Sequence, residues 1–122
     1  MAALLRGHNA QGPWLGTDVH TAEQCESLVQ VRAEIDRLDE QIVRLLAERG
    51  GYVLAAARFK NSVDEVPAPQ RVEQVIAQVR ALALQHGALP EVVERAYRTM
   101  IAAFIEAEQR HWLQQGSPPG AA

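Results

Sequence analysis

The sequence predicts an all-α protein of three helices, one long and two shorter, wound around at least one copy of itself. Three observations carry that expectation. No segment alternates apolar and polar residues with the period of two that a half-buried strand needs. From Thr21 to about Lys60 there is no proline, and apolar residues recur with a heptad-like step. Pro69 and Pro90 then head two further helical patterns, with Gly87 between them.

The long helix comes first. Leu28, Val31, Ile35, Leu38, Ile42 and Leu45 are spaced 3, 4, 3, 4, 3, the step of a coiled-coil seam. The same step continues to Arg49, Tyr52, Ala56 and Phe59. Gly50 and Gly51 each cost about 1 kcal/mol against alanine in a helix interior. The seam resumes in phase after them, so a single helix is expected. At about 1.5 Å per residue, nearly forty residues reach roughly 60 Å, more than a domain of this size can cover with its own chain. A partner chain is implied, and a second copy is the simplest.

"NSVDEVPAP" reads as a loop, because Pro67 and Pro69 lack donors and bias their predecessors away from helix. Pro69 suits the first turn of the second helix. That helix presents Val72, Val75 or Ile76, Val79, Leu82 or Ala83, and His86, and Gly87 is its natural stop. Pro90 starts the third, whose apolar face runs Val93, Tyr97, Met100 or Ile101, Phe104, Ala107 or Glu108, and His111 or Trp112. Residues 21–114 form the helical domain in this reading, with flexible tails at 1–20 and 115–122.

Composition narrows the function. The 122 residues are 48% hydrophobic and 22% charged with a net charge of −3, ordinary for a folded soluble domain and unlike a general nucleic-acid binder. Cys25 stands alone, and the four histidines lack ligand-like spacing, so neither an intrachain disulfide nor a metal site is expected. No apolar run spans a bilayer and the N-terminus lacks the layout of a secretory signal, which makes the cytoplasm the default.

Arg49 is the anomaly, because by phase it faces the seam, where an unpaired guanidinium is costly. It either snorkels to solvent or faces an anion-binding cavity. Lys60 lies 11 residues on, close to three full turns, so a continuous helix puts both cations on one face about 16 Å apart. Arg71 falls in the first turn of the second helix, where free N–H groups and the macrodipole favour an anion. Gln109 edges the apolar face of the third helix. Arg32 lies about 25 Å before Arg49 along the first helix and reaches such a ligand only from the other chain of an antiparallel dimer.

"VRAEIDRLDEQIVRLLAER", "YVLAAARFK", "PAPQRV" and "IEAEQRHW" together resemble the all-helical class of chorismate mutases, the type II fold, over roughly Glu26 to Trp112. Within that class the chain looks most like the isochorismate-pyruvate lyases of salicylate formation. The resemblance implies an intertwined helical homodimer without cofactors. Arg49, Lys60, Arg71 and, from the partner chain, Arg32 would hold a dicarboxylate substrate, and Gln109 would sit near its ether oxygen. Typical mutases carry Asp-Pro-x-Arg-Glu where this chain has Ala68-Pro69-Gln70-Arg71-Val72. Loss of both acids fits isochorismate, whose hydroxyl has moved. The implied reaction is a pericyclic elimination to salicylate and pyruvate serving siderophore formation, with Lys60 and Gln109 as catalytic residues, weak mutase side activity, and a loop 61–68 that closes over the ligand. A chorismate mutase and a non-catalytic helical dimer are the competing readings.

Overall fold

The computed structural model describes residues 21–115, so the expected tails lie outside it, save that Gln115 is the last helical residue. Three α-helices appear and the described residues contain no strand, as expected: α1 (Leu28–Ala56), α2 (Pro69–His86) and α3 (Pro90–Gln115). By internal contacts the chain divides into two units, Met1–Leu46 and Ala47–Ala122.

The long helix is shorter than its seam. Ser27 accepts the Gln30 N–H at 3.1 Å through its Oγ, the cap that starts α1, and the residues before it form only a 3-10 turn at Ala22–Gln24. At the other end the helix tightens into a 3-10 turn at Ala57–Phe59, and Lys60 leaves in extended backbone. Lys60 is therefore not a helical residue, and its expected place on the face of Arg49 by helix phase does not apply.

In the first unit the apolar seam stays largely exposed. Leu28, Val31, Ile35, Leu38, Ile42 and Leu45 are 37–63% exposed, and no described residue before Gly50 is buried. The second unit holds the core. Val75, Ile76 and Val79 of α2 pack on Ile101 of α3, with Val72, Val93, Tyr97, Met100 and Ile105 around them. Both alternatives at Val75 and Ile76 point inward, whereas Ala83 is buried and Leu82 is 47% exposed. Gly87 ends α2 at φ 77°, left-handed backbone that suits glycine, and donates to the carbonyls of Ala83 and Leu84. Arg98 on α3 grips both oxygens of Glu73 on α2 at 2.9 Å, and Arg80 reaches Glu94 at 2.6 Å. The hydrogen bonds from Arg98 hold the Glu73 and Glu94 carboxyls below their ordinary pKa.

The segment after α1 is held by contacts of its own. Glu65 accepts the Asn61 N–H at 3.1 Å, a 3-10 turn follows at Val63–Glu65, and Val66 is only 2% exposed. Gly50 allows a close crossing. A Cβ on it would lie 2.8 Å from Cε1 of Phe104, while one on Gly51 meets nothing within 4 Å. Both glycine-to-alanine changes gain about 1 kcal/mol of helix propensity. Only Gly50→Ala displaces the ring, at about 1–3 kcal/mol. Denaturant unfolding of the two variants is therefore expected to separate them by about that amount, with Gly51→Ala the more stable.

Candidate active site

Within the unit Ala47–Ala122 the end of α1, the following loop and the facing sides of α2 and α3 enclose an open pocket of about 350 Å³, a size suited to a small molecule. Arg49, Tyr52, Val53 and Ala56 come from α1. Lys60, Val66 and Ala68 come from the loop, and Arg71, Val72 and Val75 from α2. The α3 wall is Ile101, Phe104, Ile105 and Glu108, one stripe at spacings of 3, 1 and 3. Apart from three cations, one carboxylate and one phenol, the side chains of this lining are apolar.

Arg49 is housed by aromatic faces. Its guanidinium carbon lies 5.7 Å from the centre of the Tyr97 ring and 6.0 Å from that of Phe104, within cation–π range. The rings hold the charge beside the pocket without neutralising it, which leaves its donors for an anion. Arg71 is exposed, bonds Gln74 at 3.2 Å and stands at the head of α2, where Pro69 occupies the first turn and no side chain caps the helix. Lys60 Nζ contacts Glu108 Oε2 at 3.2 Å, with side chains 22% and 5% exposed. Glu108 is the only buried charged residue among those described.

Arg49, Lys60 and Arg71 thus meet at one pocket. Gln109 does not line it. One step along a helix turns by about 100°, and that step puts Glu108 in the wall and takes Gln109 out of it. Glu108 is the site residue the sequence reading passed over. Its signal was available, since it lies three residues after Ile105 and seven after Ile101, a charge due on an apolar stripe like Arg49 itself. Arg32 lies in the other unit, where it is exposed. Among the described residues no group of three or more histidine, cysteine, aspartate or glutamate side chains could hold a metal, and no helix is long and apolar enough to cross a membrane.

A small all-helical domain whose cations converge from three elements on one largely apolar pocket is suited to an anionic ligand. Comparison with known proteins gives that class its family. The chorismate mutase type II profile matches residues 31–109, and the chain belongs to that family. It is 36% identical over 94 residues to an isochorismate pyruvate lyase of Pseudomonas aeruginosa, covering 77% of this chain and 93% of that protein. A chorismate mutase of Methanocaldococcus jannaschii is 25% identical over 91 residues, 74% of this chain and 91% of that one. A bifunctional chorismate mutase/prephenate dehydratase of Aquifex aeolicus is 30% identical over 89 residues, 70% of this chain but 25% of that longer protein.

The Lys60–Glu108 pair makes Lys60 structural as well as chemical, because its removal strands a carboxylate that is 5% exposed. Lys60→Ala is expected to cost about 1–3 kcal/mol in urea unfolding. Adding Glu108→Gln, which removes the stranded charge, should return part of that loss. A single variant as stable as wild type would show that water replaces the ammonium without penalty.

Proposed function

We propose that the protein is an isochorismate-pyruvate lyase that works as a homodimer. The observation that carries this reading is the convergence of Arg49, Lys60 and Arg71, from three different elements, on an otherwise apolar pocket. Scaffolding needs no such convergence, which weighs against a non-catalytic helical module. Three donor groups in one small cavity match a compact ligand with two carboxylates.

In the proposed reaction, Arg49 and Arg71 grip the carboxylates and fold the enolpyruvyl arm over the ring, a near-attack arrangement. Hydrogen passes from C2 to the terminal methylene as the C–O bond breaks, and the ring becomes aromatic. Salicylate and pyruvate leave. Lys60 stabilises the charge that grows on the departing oxygen. Gln109 stays, from the resemblance, the residue expected near the ether oxygen, although it does not line the pocket of the single chain. Glu108, which holds the wall, is an acceptor when ionised and does not donate to that oxygen.

The edge formed by Ala68 and Val72 favours the lyase over the mutase, since both residues line the pocket and neither offers an acid to a ring hydroxyl at that end. The relative named isochorismate pyruvate lyase supports the same choice. The mutase reading rests on the other two relatives and on cations that would serve either substrate. Purified protein given each substrate separately is expected to form salicylate from isochorismate with a kcat/KM about tenfold or more above that for prephenate from chorismate, a gap of ~1.4 kcal/mol. The opposite ratio would move the protein to the mutases.

Dimerisation is supported by the first unit, where an apolar seam of six residues stays 37–63% exposed in the single chain. Arg32 of the partner subunit completes the cation set in this reading. Arg32→Ala and Arg49→Ala are each expected to be inactive. Mixed in equal amounts and allowed to exchange, they should regain roughly a quarter of the wild-type rate, because half the dimers are mixed and each mixed dimer carries one intact site of two. No recovery after verified exchange would place Arg32 outside the site.

A further inference from the structure

A donor–acceptor inventory of the pocket walls points to Glu108. Arg49, Lys60 and Arg71 are donors only. A buried ligand hydroxyl needs an acceptor for its own proton, and leaving it unmatched is costly. The wall's side-chain acceptors are the Glu108 carboxylate and the Tyr52 hydroxyl, and Tyr52 is 73% exposed, within reach of water. Ala68 and Val72 contribute none. Glu108 is 4% exposed, and the one hydrogen bond its carboxylate makes among the described residues ends on Oε2, from Lys60. No buried side-chain oxygen or nitrogen among the described residues lacks a partner, so Oε1 is not sealed off.

We propose that Glu108 is a specificity-determining residue: its carboxylate accepts a hydrogen bond from a hydroxyl of the bound dicarboxylate and repels any third negative charge placed there. The proposal rests on the dicarboxylate reading of the pocket. It narrows the ligand class to dianions whose far side carries a neutral donor. It also sets orientation. A carboxylate turned toward Glu108 meets a like charge in a poorly solvated wall, whereas one turned toward Arg49 and Arg71 meets two cations. Lys60 lines the same pocket while its Nζ stays on Oε2.

Three rings of one shape test this: isophthalate, its derivative with a hydroxyl meta to both carboxylates, and trimesate, which has a third carboxylate at that place. Their dissociation constants are measured by titration calorimetry on the full chain. Wild type is expected to bind the hydroxylated ring about tenfold more tightly than isophthalate, and trimesate more weakly than isophthalate. Glu108→Gln keeps an acceptor for Lys60 and loses the charge, so trimesate should rise at least to the level of isophthalate. The wild-type series is decisive even if the variant folds poorly. Equal binding of all three rings, lost in Arg49→Ala, would overturn the role of Glu108 and leave the anion site standing. Failure of every ring to bind wild type would remove the dicarboxylate reading, and this proposal with it.

Discussion

The contact between Lys60 Nζ and Glu108 Oε2, 3.2 Å long and 48 residues apart in sequence, ties the end of the first helical segment to the third helix. Much of the pocket depends on it. An ammonium and a carboxylate taken out of water are tolerated only as a pair, so the loop must leave α1 where Lys60 can reach α3. The tightening into a 3-10 turn at Ala57–Phe59 and the extended backbone of Lys60 are compatible with that reach. Val66, 2% exposed, then pins the rest of the loop, and Pro69 opens α2 with Arg71 in its first turn. Each step brings one more wall of the cavity into place.

The second cation is kept by a different device. Arg49 has rings for neighbours rather than a carboxylate, and the ring of Phe104 reaches it because Gly50 has no side chain in the way. A glycine that costs helix propensity thus permits the helix crossing that houses the charge. The two devices differ in what they leave over. Lys60 is partly neutralised by Glu108, while aromatic faces leave the guanidinium's formal charge intact. Arg49 and Arg71 are therefore the pocket's cations without a carboxylate partner among the described residues.

Periodicity made the helices legible, because apolar residues that must be covered repeat at the helical step whatever covers them. The seam from Leu28 to Leu45 was readable on that ground, and the stop at Gly87 and the starts at Pro69 and Pro90 from glycine and proline backbone chemistry. The ends of α1 were not. Phase continues past a helix end when the following residues still face the same neighbours, so Phe59 and Lys60 looked helical. In the site, Arg49 was legible as a charge out of place and Arg71 as a cation at a helix head, whereas Lys60 was reached by a helix phase that stops short of it. Glu108 followed the same logic as Arg49. It was read only as one of two residues, with Ala107, that the α3 stripe admitted, while Gln109 was named from the edge of that face and from the resemblance; burial of Glu108 is what puts its carboxylate in the wall.

Burial is divided unequally along the chain, and the division matters for how such a site is assembled. Among the described residues, all those that are buried lie at Gly50 or beyond, so the cation pocket belongs to the half that has a core of its own. The preceding half presents the most regular apolar pattern in the sequence, and none of its described residues is buried. A helix of that kind gains little stability from propensity alone and takes most of it from an apolar face that finds cover. Covering the seam with a second copy would set each chain's early helix against its counterpart, and the exposed Arg32 travels with that helix. Under that arrangement the same contact that stabilises the first half would deliver a cation to the second half of the partner, so that folding, association and completion of the anion site are one event rather than three.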